Sequence, residues 1–215
     1  MRRISLPSEK ILVLGEYELG NESILQIYFR VFCKGNGGDL PPIIVARSDI
    51  VSTLERQTRL NDELRLNIEW GRFAKNRGSI WAEDTVNEAI QNRPLNYQTF
   101  EKKIAEAPYY LIDGNHRSAA ATLTHRPIQS LELQGDDDFE EIRRMIETGE
   151  LFGFSREEES LRGLVLGFEQ HILGDWSGGG VGLDNFKTVK ERVDLLVSAG
   201  ELPQYMIDYY KKGSK

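Results

Sequence analysis

Six consecutive residues, Asp113-Gly114-Asn115-His116-Arg117-Ser118, concentrate the chemistry that this chain can do. They stand between the apolar run YYLI at 109–112 and the small-residue run AAA at 119–121. A strand that turns sharply into a helix exposes the helix's first N–H groups, which have no intrahelical partner. With the helix dipole those groups form an anion site. Gly114 lets the backbone turn and lets a ligand come close. Arg117 can grip phosphate oxygens in a fork, and His116 can add a donor or a proton. Asn115 lies in the same turn, and Ser118 brings a hydroxyl to the helix start. Asp113 can orient His116 or hold a cation at the strand's end. The composition predicts a phosphate-binding corner rather than a particular reaction. The plainer alternative is an Asx-type turn with His116 and Arg117 solvated.

Such a corner needs a sheet and helices to hold it. Aliphatic runs at 10–19 (KILVLGEYEL), 42–46 (PIIVA), 108–112 (PYYLI) and 128–134 (IQSLELQ) predict strands. A helix follows the first of them, N-capped by Asn21 and stopped at Gly35. Its apolar stripe is read as Ile24, Ile27, Tyr28, Val31 and Phe32. Residues 47–107 have a different texture and predict a helical insertion. It opens on a long charged helix capped at Ser48 or Asp49 and continues through EDTVNEAIQN and NYQTFEKKIAEA. Its Arg56, Arg59, Arg65, Arg72, Lys75 and Arg77 read as a solvated face, with phosphate or nucleic acid as the alternative target. Residues 136–215 predict a helical C-terminal region. One helix there carries Phe139, Ile142, Met145 and Ile146, and another opens on a capping box at Ser155 and Glu158. Tyr205, Tyr209 and Tyr210 are expected as core or interface anchors of the last helix.

These segments carry a resemblance. PPIIVA, YYLIDGNHRSAAA and RPIQSLEL resemble the core of the ParB/sulfiredoxin superfamily. Its members place a Gly-x-[His/Arg]-Arg turn between a strand and a helix, and that turn binds nucleotide phosphates. The likeness covers 108–134 and 41–46 by motif and 10–35 by element order. It implies an α+β fold: a small mixed β-sheet of ParB/sulfiredoxin type from 1–46 and 108–135, the helical insertion at 47–107, and the helical region at 136–215. In the family the two strands flanking the insertion are joined by a short hairpin; here about 60 residues intervene. The insertion is expected to act as a lid or substrate pocket, or as a stabilising or oligomerising decoration.

The same resemblance sorts activities. Sulfiredoxins carry their nucleophilic cysteine where this chain has Asn115, and Cys33 lies elsewhere, so sulfinic acid reduction is not implied. Partition-type ParB proteins have a Glu-Arg-Arg turn where Asn115, His116 and Arg117 stand here. The free-serine kinases use Asp-Gly-His-His-Arg, which differs from Asp113–Arg117 at one position. They also take a glutamate base from the N-terminal segment, where Glu16, Glu18 and Glu22 lie; Glu18 is taken as the match. The implied function is a nucleotide-binding phosphotransferase or hydrolase for ATP or another nucleoside triphosphate with Mg²⁺. Gly114 to Ser118 would hold the phosphates, Arg117 would neutralise developing charge, and Asp113 would stand at the metal. His116 or Glu18 would activate the attacking oxygen of water or a small-molecule phosphoryl acceptor. Relatives are also ParB-like nucleases and DNA-binding proteins, and a non-catalytic protein-interaction module is the remaining alternative.

Bulk composition narrows partners. A net charge of −7 over 215 residues argues against a broad electrostatic grip on duplex nucleic acid. A lone Cys33 makes no disulfide framework or cysteine-rich metal site. No run approaches the roughly 18 apolar residues of a membrane span, and MRRISLPSEK has no signal-peptide core. A cytoplasmic location without membrane association is therefore expected. DWSGGGVG reads as a connector, because no strand, lysine or helix frames its glycines as a phosphate loop requires. His125 and His171 do not pair with His116 at metal-ligand spacing, and the acids of GDDDFEE read as helix capping.

Overall fold

Alternation along the strands decides the layers. In the computed structural model, which describes residues 1–13, 19–58, 97–151, 160–173 and 186–213, six strands form one mixed sheet: β1 Arg2–Leu6, β2 Ile11–Val13, β3 Ile43–Arg47, β4 Tyr109–Asp113, β5 Ile128–Glu132 and β6 Lys187–Thr188. Their order is β1-β5-β3-β4-β2-β6. β3 runs parallel to β5 and β2 parallel to β4, while the other neighbours are antiparallel. Successive strand residues face opposite sides. Ile11, Val13, Ile43, Val45, Leu111 and Ile128 enter one core. Leu12, Ile44, Ala46, Tyr110 and Leu131 enter the other.

Helices cover both faces. α1 (Glu22–Cys33), α2 (Asn115–Leu123), α5 (Val189–Ala199) and α6 (Gln204–Gly213) pack on the first core. The helical segment 97–106, α3 (Asp138–Glu147) and α4 (Leu161–Leu173) pack on the second. The fold is thus α+β with a six-stranded mixed sheet. Among the described residues, no helix is long and apolar enough to cross a membrane.

Several sequence expectations need correction. β1 was not expected, although Arg-Arg-Ile-Ser-Leu alternates with period 2 and Leu6 is buried. In α1 the Asn21 side chain accepts from Ile24 N–H at 3.2 Å, as a cap should, and the chain leaves the helix through Gly35 at φ 84°. Its buried face, however, is Leu25, Phe29 and Phe32, and Ile24 and Ile27 are exposed. The helix has two apolar stripes, and the sheet takes the one with two phenylalanines. The C-terminal region is not purely helical, since β6 completes the sheet, and its helices lie on both faces. α5 opens on a Thr188/Glu191 capping box. Ser155 and Glu158 lie outside the described residues, and Asp136 accepts the Leu161 N–H at the start of α4 at 2.7 Å.

The insertion leaves and returns at one point. β3 and β4 are antiparallel neighbours, Arg47 stands opposite Tyr109, and Ser48 N–H donates to Pro108 O at 2.9 Å. Residues 48–50 form a single 3-10 turn, so the next helix is capped by Ser52, whose Oγ accepts from Glu55 N–H at 3.2 Å. EDTVNEAIQN, Arg59, Arg65, Arg72, Lys75 and Arg77 lie outside the described residues, as does DWSGGGVG. Arg56 is neither solvated nor aimed at a ligand. It is 6% exposed and pairs with Glu169 of α4 at 2.6 Å.

Candidate functional site

β4 delivers Asp113 to the end of the sheet, and Gly114 turns the chain into α2. Gly114 has φ 108° and ψ 38°, a left-handed conformation that side chains rarely adopt. Its missing Cβ is required by the chain itself: a Cβ there would stand 2.5 Å from Ile43 Cγ2 and 3.3 Å from Arg117 Nη2. The space expected for a ligand beside Gly114 is filled by β3. Ala119, Ala120 and Ala121 are fully buried, which lets α2 sit close on the sheet, as their size suggests.

Arg117 is the largest correction. It is 5% exposed, and its fork points inward. Nη1 donates to Pro41 O at 2.9 Å and to Pro42 O at 2.8 Å, and Nη2 donates to Asp113 Oδ2 at 2.6 Å. The two prolines have no N–H, so they present only acceptors to the guanidinium. In this arrangement the fork is a latch between α2 and the lead into β3, and it does not face a phosphate. Asp113 is equally committed. Burial pushes its carboxyl above the ordinary value, while Arg117 and the Gly114 N–H pull it the other way. A carboxylate closed on a guanidinium and an amide does not fit a divalent cation. Among the described residues no group of three or more metal-ligating side chains comes together.

The other expected residues divide. Ser118 is fully buried, and its Oγ donates to Asn115 O at 2.9 Å, within the turn. Asn115 is the first residue of α2. His116, one residue on, reaches across to the start of α1 and hydrogen-bonds the main chain of Asn21, while its Nε2 is buried with no partner among the described residues. Burial holds the imidazole below its ordinary value of 6.5, with the Asn21 contact working in the opposite sense. Glu16 and Glu18 lie outside the described residues, and Glu22 sits in the first turn of α1, where it accepts from Gln26 Nε2 at 2.6 Å.

Gly114 as N-cap has no side chain to accept from the first-turn amides of α2. β2 and β4 are parallel neighbours, each followed in sequence by a helix, and α1 and α2 meet through Asn21 and His116. Pro41, Pro42, Ile43 and Asn21 complete the corner, and sequence reasoning gave none of them a role there. Residue type could flag only the proline pair, as a source of unpaired carbonyls.

No family model, curated protein or solved structure matches this chain.

Proposed function

We propose that the protein binds a nucleoside triphosphate at the start of α2 and transfers or hydrolyses its terminal phosphoryl group. The observation that carries this reading is the glycine N-cap. The positive end of α2 has no side-chain acceptor from Gly114, and it lies at the carboxyl end of β4 beside the start of α1. The carboxyl ends of parallel strands that feed helices are where α/β sheets commonly take ligands. The resemblance of the DGNHR turn to the ParB/sulfiredoxin superfamily supports a nucleotide as the anion. The phosphates rest on the His116 and Arg117 amides rather than on the Arg117 side chain. Mg²⁺ is carried on the phosphates, since Asp113 serves Arg117.

Thermal unfolding with ATP, ADP, CTP and GTP, each with Mg²⁺, tests the reading, with Asn115→Asp as the control. A carboxylate in the first turn suits the helix dipole, so the variant keeps its fold, yet it repels an anion. The expected result is a rise in Tm with a triphosphate, lost in Asn115→Asp. No rise with any nucleotide overturns the reading. The inward closure of Arg117 favours a second reading, a non-catalytic module in which the corner only holds the scaffold and the helices recruit a partner. Its mark is a folded chain with neither a Tm rise nor turnover.

A further inference from the structure

α1 carries a second apolar stripe that the cores leave out. Ile24, Ile27 and Val31 repeat at three and four positions, the spacing of a seam between packed helices. None of the three belongs to either core. Ile27 is 57% exposed and Ile24 37%, while Val31 and the neighbouring Tyr28 are half-buried. The opposite stripe, Leu25, Phe29 and Phe32, already ties α1 to the sheet. Apolar side chains held in a row on a docked helix, with water on them, mark a surface for another molecule. The charges beside the row say which one. Arg30 follows Ile27 by three positions and Lys34 follows Val31 by three, so both lie on one flank of the stripe. Both are exposed, and among the described residues neither pairs with a carboxylate. Glu22, the acid of α1, stands two turns before Phe29, on the far side of the helix, and is engaged by Gln26. The flank is therefore basic in a chain whose net charge is −7.

We infer that this stripe is the docking face for an acidic amphipathic helix of a partner protein. Apolar residues of the partner, at the same spacing, seat between Ile24, Ile27 and Val31, and its Glu or Asp side chains meet Arg30 and Lys34. Two other occupants fit less well. An antiparallel two-fold pairing with α1 of a second copy lays the two basic flanks side by side, cation against cation, with no acid of α1 to face them. An anionic membrane is repelled by the net charge of −7. The stripe from Ile24 to Val31 is also only two turns long, on a helix whose other side is fixed in the core. Docking there does not depend on a nucleotide at α2, and it gives recruitment of a partner by the helices a surface and a chemistry.

Fluorescence anisotropy on the full chain tests the docking face. The probe is a labelled helical peptide of about 20 residues with Leu at seam spacing and Glu on both flanks; its twin carries Lys in place of Glu. The chain should bind the Glu peptide, more weakly as salt rises, and should not bind the Lys peptide. Ile27→Gln, at an exposed position, should keep the parent Tm and lose affinity about tenfold or more. The double change Arg30→Glu with Lys34→Glu should reverse the preference toward the Lys peptide. No binding of the Glu peptide, equal binding of both peptides, or an unchanged preference after the charge reversal overturns the inference. Sedimentation of the peptide-free chain as a dimer that Ile27→Gln makes monomeric overturns it in favour of a second copy. Pelleting with phosphatidylserine vesicles that Ile27→Gln abolishes overturns it in favour of a membrane.

Discussion

Among the described residues two arginines are buried, one on each face of the sheet, and both close on a carboxylate and on main-chain oxygen. Arg117 holds Asp113, Pro41 O and Pro42 O on the side of α1 and α2. On the other face Arg56 holds Glu169 through Nε and Nη2 and also reaches Ser48 O, while Tyr110 Oη donates to Glu169 Oε1 at 3.0 Å. Sequence reasoning sent the first to a phosphate and the second to solvent, and both went inward. Each sits where the chain leaves a strand: Arg117 binds the lead into β3 to α2, and Arg56 binds the exit of β3 to α4. A guanidinium with several donors can satisfy carbonyls of an irregular segment that no ladder pairs. The difference lies in the partner. Glu169 is 1% exposed, whereas the Asp113 side chain keeps 24% of its surface in water.

That difference orders the expected effects. Arg56→Ala strands a carboxylate with no access to solvent and should cost about 3–5 kcal/mol in urea unfolding. Tyr110, whose hydroxyl burial and Glu169 both keep protonated, cannot replace the lost charge. Arg117→Ala should cost less, about 2–4 kcal/mol, because Asp113 retains water and can take up a proton. The two pairs would be equivalent if both substitutions cost the same. The sign of the pH dependence sharpens the contrast. Burial already raises the Asp113 carboxyl, and loss of Arg117 removes an opposing influence. The folded variant then binds that proton more readily than the unfolded chain, so the penalty of Arg117→Ala should shrink as pH falls toward the ordinary carboxylate value of 3.8. A penalty that stays constant with pH would mean that Asp113 is not stranded.

Gly114→Ala comes next, at about 1–3 kcal/mol, from a left-handed backbone and a Cβ driven into Ile43. A neutral result would show that the latch yields. The smallest effect belongs to His116. Its folded-state value lies below 6.5, so the native chain resists the proton that the unfolded chain accepts. Stability should therefore fall as pH drops below about 6.5, and His116→Asn should flatten that part of the curve in parallel urea titrations.

Much of the frame was legible because local rules decide it. Asn21 caps α1 by its own side chain, Gly114 occupies a conformation that few other residues accept, and Phe139, Ile142 and Met145 repeat at helical spacing. The corner itself was legible as a turn between strand and helix. The direction of its side chains was not. Where Arg117 points depends on the carbonyls of Pro41 and Pro42, more than seventy positions earlier in the chain, a contact that no pattern local to Arg117 announces. The buried stripe of α1 was misread for a related reason: Ile24 and Ile27 have helical spacing equal to that of Leu25, Phe29 and Phe32, and only the sheet selects between them. β1 was passed over because its exposed arginines mask a short alternation that becomes a strand once β5 is beside it.

The central claim is that an anion at this corner meets main chain, with the arginine serving as a latch. Amide and arginine side-chain resonances followed through an ATP–Mg²⁺ titration test it most directly. The account predicts large shifts of the His116 and Arg117 backbone N–H signals while the Arg117 guanidinium signals stay in place. Movement of the guanidinium signals with silent first-turn amides, or no shift anywhere at the start of α2, would contradict it.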